Sequence, residues 1–274
     1  MNDIEYVALV DTTRDELRDR IGRARDRFDR LIRSADPHAR VPGLDWTVHQ
    51  VVAHMLSVAH RYQAVAEGRD FRRATFAREL DEINRAELEA LIAPVPEIAD
   101  RLSDIAPVMD ALFDTCSNDR VYELHCGAFA DGITLQTNWL GELILHGRDV
   151  ARPIRSPWDI EERDMLLIAR GLMQYGEGTG YLRAGLPAGT DVCVALKLPG
   201  ARPYVIHIHD GAVEMRARKP ADRPDAVLRM PAPTLCDMIY QRIGPATAAR
   251  RGLMIVGGRR PWKALKLQSY LERP

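Results

Sequence analysis

The sequence predicts an α+β protein, a helical bundle followed by a smaller α+β domain. Three observations carry this. Most of the first half repeats its apolar residues every three or four positions, the helical period. Five glycines then crowd into Gly176–Gly189. Beyond them the apolar pattern alternates, as in half-buried strands. The boundary is therefore expected to separate residues 1–176 from 177–274. A chain of 274 residues suits two domains at roughly 100–200 residues each.

The first helix is expected from Arg14 to about Ser34, capped by Thr13, with Leu17, Ile21, Ala24, Phe28 and Leu31-Ile32 on its buried face. A Pro- and Gly-containing link, Pro37 to Gly43, leads to the second helix. Thr47 and Gln50 have the spacing of a capping box, and Gly68 marks the stop. Two more helical stretches, about 76–92 and 96–115, are separated by Pro94 and Pro96, and Pro107 predicts a kink or split in the second. Asn118 to Gln136 lacks helical periodicity; Leu124–Ala130 and Gly132–Leu135 read as a short hairpin or ordered loop. NWLGELILHGRDVAR reads as a helix ending before Pro153, and Trp158 to about Tyr175 as another.

In the second half, strands are expected at Val192–Leu198, Tyr204–His209 and Ala212–Ala217, with turns at Pro199-Gly200 and Asp210-Gly211. Val227–Met230 reads as a fourth strand. Helices are expected from Pro233 to Ile243 and from Pro245 to Arg251, then a strand at Leu253–Val256 and a terminal helix from Pro261 to Leu271.

Composition narrows the function. Lysine and arginine total 38, aspartate and glutamate 39, so the net charge of −1 gives no broad electrostatic attraction to nucleic acid or an anionic membrane. No apolar run approaches the ~18 residues of a membrane span, and the start, MNDIEYVALVDTTRDE, lacks the form of a signal peptide. A cytoplasmic protein is expected. Cys116, Cys126, Cys193 and Cys236 form no C-x-x-C pair, which excludes a zinc finger or ribbon and predicts free, buried thiols.

Chemistry concentrates on His54, Glu142 and His146. Glu142 and His146 are four apart on an expected helix, so they turn ~400°, rise ~6 Å and leave the same face. Their neighbours Trp139, Leu140, Leu143, Ile144 and Leu145 are apolar, which is unusual for a solvated helix face. His54 lies in the apolar stripe of another helix, where an unpaired ring costs about 1–3 kcal/mol. Asp149, one turn beyond His146, is placed to orient an imidazole. The same residue types also occur on ordinary helices as solvated pairs and satisfied core histidines. Cys126 beside His125 invites a nucleophile pair, but neighbours in an extended segment point to opposite faces. His207 and His209 share a strand face without an evident third ligand, and read as exposed strand histidines.

LDWTVHQVVAHM resembles a motif in which a Trp-Thr pair opens a helix and a histidine follows eight residues after the Trp. WLGELILHGRDVAR resembles the same family's second motif, Glu and His four apart followed by Gly-x-Asp. The family is that of the mycothiol-dependent maleylpyruvate isomerases, among the DinB-like metalloenzymes. The resemblance implies an antiparallel four-helix bundle holding one divalent metal, usually zinc, on His54, Glu142 and His146; nickel or iron would suit the same ligands. LRMPAPTLCDMIYQRIGPATAARRGLMIVGG resembles the sterol-carrier-like domain that follows this bundle in many members. The resemblance also implies a mycothiol co-substrate whose thiolate, formed at the metal, attacks a small-molecule electrophile. Isomerisation, S-transfer and thiol exchange, the last known in natural-product sulfur metabolism, all fit it. In the family's isomerase arginines contribute to the site. Here Ile83, before Asn84, stands in place of one, with Arg78 and Arg85 as nearby substitutes, and Arg242 in the turn YQRIG occupies the corresponding C-terminal position. This departure bears on the substrate, maleylpyruvate, more than on metal or thiol. Two other readings use the same architecture: a binding module whose strand VCVALKL lines an apolar cavity, and a regulatory protein, which would have no need of all three ligands.

Overall fold

The computed structural model describes residues 7–116, 122–174, 176–178 and 180–272. It is an α+β structure. Four long helices form the bundle: α1 (Arg14–Ser34), α2 (Val48–Ala66), then, beyond the shorter α3 (Leu80–Leu91), α4 (Val95–Thr115). After a small hairpin of β1 (Tyr122–Glu123) and β2 (Phe129–Ala130) comes the fourth, α5 (Gly132–Ala151). Within the bundle α1 packs against α5 and α4, and α2 against α4 and α5.

Local chemistry sets these ends. Thr13 accepts a hydrogen bond from the Glu16 N–H, and Thr47 and Gln50 close the capping box that starts α2. Helix α4 runs unbroken through Pro107, because Ile105, Met109, Leu112 and Phe113 bury around it and packing outweighs the missing N–H. Helix α5 starts earlier than its periodicity suggests. Asp131 caps it by accepting from the Thr134 N–H at 2.6 Å, so Gly132–Leu135 is its first turn and not a strand. Seventeen of its residues are buried, and a helix apolar all round carries little periodic signal at its start.

The next helix, α6 (Glu162–Met173), is shorter than expected because Trp158 packs on α5 instead. Its indole N–H donates to the Ile144 carbonyl at 2.9 Å, and Arg27 stacks on its other face. Tyr175 lies outside the described residues. The contact fixes Gly147: a Cβ there would lie 2.1 Å from the Trp158 ring. We predict that Gly147→Ala destabilises the protein by about 3 kcal/mol. Gly22→Ala, in open space on α1, should stabilise it by roughly 0.5–1 kcal/mol. Urea unfolding of both variants tests this, and equal stabilities would refute it.

The second half is a six-stranded sheet. Its strands are β3 (Gly176–Gly178), β4 (Val192–Lys197), β5 (Tyr204–His209), β6 (Ala212–Ala217), β7 (Ala226–Arg229) and β8 (Met254–Gly257). The spatial order is β3-β6-β5-β4-β7-β8, with β4 and β7 parallel and the other neighbours antiparallel. The glycine-rich stretch is thus no simple spacer, since its first residues form an edge strand. Val192, Val194, Leu196, Tyr204, Ile206 and Ile208 face the main core. The alternate residues Cys193, Ala195 and Val205 form a small cluster on the opposite face with Val227. The main core is continuous from Leu17 in α1 to Leu235 in α7 (Ala232–Ile239).

Helix α7 stops at Ile239, four residues before its expected end. Gln241 takes φ 57°, and the N–H groups of Arg242 and Ile243 both turn back to the Asp237 carbonyl. This turn swings Arg242 toward α5. The chain then forms α8 (Pro245–Arg250) and β8, and ends its described part in a 3-10 stretch, Pro261–Lys266, running into α9 (Leu267–Tyr270) instead of one regular helix. No described helix is long and apolar enough to cross a membrane.

Candidate metal centre

Helices α2 and α5 bring His54, Glu142 and His146 together inside the bundle, with one possible ligand atom of each within 4.8 Å of the others. A Glu142 carboxylate oxygen lies 3.3 Å from His146 Nε2 and 4.0 Å from His54 Nε2. Both imidazoles are only 6% exposed, and their ring centres are 5.2 Å apart. The Trp46 ring packs 5.1 Å from His54 and closes one side. Nothing in an apolar core explains two such rings beside a carboxylate.

The electrostatics fit a cation. Burial, together with positive charge on His146 and Arg61, drives the His54 pKa well below its usual value and keeps the ring a neutral donor. Burial opposes a charged His146 as well. The carboxylates of Asp149 and Glu142 outweigh it, raising this pKa to about 9. The same carboxylates that favour a charged His146 would favour a divalent ion beside its neutral ring. His54 Nδ1 and His146 Nδ1 are buried without a hydrogen bond. His146 Nδ1 lies 3.4 Å from Asp149, close but poorly aligned, and its Nε2 faces Glu142. This is the carboxylate–histidine arrangement that leaves Nε2 to a metal. The three residues fit a divalent ion.

Behind the ligands, Asp149 is fully buried and Arg242 clamps it. Arg242 Nη2 donates to one carboxylate oxygen at 2.5 Å and Nε to the other at 3.3 Å, while Nη1 donates to the Tyr240 carbonyl at 3.0 Å. Burial favours a neutral Asp149, but His146 and Arg242 overcome it and hold its pKa down to about 2. The adjacent Arg148 pairs with buried Asp237 at 2.7 Å, and Arg251 reaches the same carboxylate at 2.9 Å. Two successive residues of α5 thereby fasten the ligand helix to α7 and the turn after it.

A model of the mycothiol maleylpyruvate isomerase N-terminal domain matches residues 12–151, half of the chain. The chain belongs to the mycothiol-dependent maleylpyruvate isomerase family. It is an enzyme of that family. Two solved structures share its fold, a mycothiol-dependent maleylpyruvate isomerase and a His-to-Ala variant of that protein. Each is 13% identical to this chain, and each alignment covers 92% of this chain and 96% of the other. The TM-scores are 0.53 and 0.50. No match was found among curated proteins.

The arginines considered for this family member are placed differently. Arg242 reaches the centre through Asp149. Arg78 pairs with Glu272 at 2.7 Å and stacks on Phe76, and exposed Arg85 pairs with Asp81 one helical turn away. Arg61, which sequence reasoning missed, donates to Asn84 at 2.7 Å and Glu87 at 2.6 Å, and its charge is felt at His54. Its signal was its spacing, two helical turns after His54 on α2.

The cysteines are all free and buried. Burial pushes the thiols of Cys126 and Cys193 up to about 11 and of Cys236 up to about 12, and raises that of Cys116. Cys126 and His125 form no nucleophile pair. Their segment is a tight turn with Cys126 at φ 63°, Cys126 bonds to Tyr181, and His125 Nδ1 accepts from the Ala74 N–H at 3.0 Å.

His125 gives the fold an acid-sensitive point. Burial, with Arg61 and Arg73 nearby, lowers its pKa from 6.5 to about 3. Between those values the unfolded chain binds a proton that the folded one refuses. Stability contributed by neutral His125 is therefore present above pH 6.5 and lost as pH falls toward 3, at up to ~1.4 kcal/mol per unit. We predict that His125→Asn, which keeps an acceptor near Nδ1, flattens this acid slope. Urea midpoints measured from pH 7 to pH 4 decide it; unchanged slopes would count against it.

Proposed function

We propose that this enzyme uses mycothiol as a nucleophile toward a small electrophilic metabolite, with a divalent ion, zinc by its ligand set, held by His54, Glu142 and His146. The convergence of these three donors in a closed bundle interior carries the reading. An ion held by these three residues would lower the pKa of a thiol bound to it. The protein's residues do the rest. His54 enters as a neutral donor, Glu142 supplies the negative charge, and the Asp149 carboxylate, 3.4 Å from His146 Nδ1, favours a proton on that nitrogen and leaves Nε2 toward Glu142. Arg242 is a positioning residue, because its bonds to Asp149 and Tyr240 commit it to orienting the ligand shell. Trp46 shields His54 from water.

The sulfur of mycothiol then bonds to an electrophilic carbon. Expulsion of the same sulfur after rotation yields an isomer; expulsion of a different leaving group yields a thioether, by transfer or thiol exchange. No protein thiol is needed, consistent with four cysteines raised away from the thiolate form. Maleylpyruvate and thioether metabolites are the electrophiles to supply first. Turnover is expected only with mycothiol, in wild type and in a variant lacking all four cysteines. Equal turnover without mycothiol would refute the proposal.

A further inference from the structure

We propose a second divalent transition-metal site on the outer face of the C-terminal sheet, formed by His207, His209 and Glu214. The observation is their convergence: one ligand atom of each lies within 4.8 Å of the others. The hairpin register produces it. His207 and His209 are two apart on β5 and share a face. Glu214 on β6 is the direct cross-strand partner of His207, and the tight turn at Asp210-Gly211 (φ 48° and 76°) locks that register. The imidazole centres stand 4.4 Å apart, and His209 Nε2 is 3.9 Å from a Glu214 oxygen. Tetrahedral ligands around zinc lie roughly 3.4 Å apart, so small side-chain rotations close the set.

The surroundings favour a cation. Each ring has a carboxylate on one nitrogen: Asp210 on His209 Nδ1 at 3.1 Å and Asp191 on His207 Nε2 at 2.9 Å. These carboxylates orient the rings as outer partners of metal-binding histidines do. Arg216 contacts Glu214 at 3.0 Å, but its charge is already met by Asp222 through bonds of 2.8 and 3.0 Å. Two imidazoles and a carboxylate select Zn2+, Ni2+ or Cu2+ over Mg2+ or Ca2+. All three residues are partly exposed, so an ion has access. Bound there, it ties the β5–β6 hairpin together and strengthens the sheet independently of the bundle centre.

The test is metal alone, without substrate or thiol. Ni2+ or Zn2+ titrated calorimetrically into the chelator-stripped full chain should fill two sites. His207→Ala with His209→Ala should remove one of them, Glu214→Gln should weaken that same one about tenfold, and His146→Ala should leave it in place. In the His146→Ala background, Ni2+ should still raise the melting temperature, and adding the two sheet substitutions should abolish that rise. If the His207/His209 double variant, folded by circular dichroism, binds as many ions as wild type, the sheet site is refuted and the bundle centre is untouched. If His146→Ala binds as many as wild type, the bundle assignment falls and the sheet site is judged by its own variants.

Discussion

Replacing His146 by Ala should leave the bundle centre without its ion and the enzyme without thiol-dependent turnover. Removing only an outer carboxylate from a metal-binding histidine costs 10–100-fold in affinity or activity. Removing the imidazole should exceed ~100-fold, and His54→Ala should do the same. The loss follows from the ligand count: with one ring gone, only one imidazole and Glu142, 14% exposed, remain to hold an ion. Elemental analysis after dialysis against zinc, performed on variants that also lack His207 and His209, isolates this centre. Full occupancy in His146→Ala would refute the ligand assignment. His60 on the same helix is a control: it lies apart from the cluster, and His60→Ala should bind metal as wild type does.

The convergence of the three candidate ligands was legible because helical spacing converts directly into geometry. Glu142 and His146 had to share a face once α5 was recognised, and the apolar stripe around Val51 and Val58 on α2 fixed the inward direction of His54. The hairpin strands were equally legible, since alternation and the Asp210-Gly211 turn specify both faces and register. Glu214 nevertheless went unnoticed, because its pairing with His207 becomes visible only when register is carried across the turn. The ends of α5, α6 and α7 were misread for another reason. Each is set by one specific contact, two of them local and one tertiary: the Asp131 cap, the turn at Gln241 that brings the Arg242 and Ile243 N–H groups onto the Asp237 carbonyl, and the Trp158 plug against Gly147. Periodicity reports which face is buried, and it is silent where a single cap, turn or plug decides the boundary. The arginines show the same limit. Arg78, Arg85 and Arg242 looked alike as charges in the sequence, yet Arg242 has a fully buried carboxylate to meet, Arg78 a mostly buried one away from the centre, and Arg85 an exposed one.

Arg242 should therefore behave as part of the fold's interior. Asp149 has 0% exposed side chain and Arg242 has 8%, so Arg242→Ala leaves a buried carboxylate without its clamp. Breaking one side of such a pair costs about 3–5 kcal/mol. Asp149→Asn should cost less, because a neutral amide needs no countercharge, although Arg242 then loses its partner. The double variant Asp149→Asn with Arg242→Met should recover much of the loss, since neither member of the pair is then left as an unpartnered buried charge. Urea unfolding of the four proteins at pH 7 gives the coupling energy. Metal titration supplies the readout that a purely structural pair would not move: Asp149→Asn should weaken the bundle centre by 10–100-fold, through loss of the group that orients His146. Arg242→Lys should preserve stability only partly, because a point charge cannot meet both carboxylate oxygens. Additive stabilities, together with unchanged metal affinity in Asp149→Asn, would mean that this pair merely braces α5 against the α7 turn. Coupled stabilities with weakened metal binding would place Arg242, through Asp149, in control of the ligand His146.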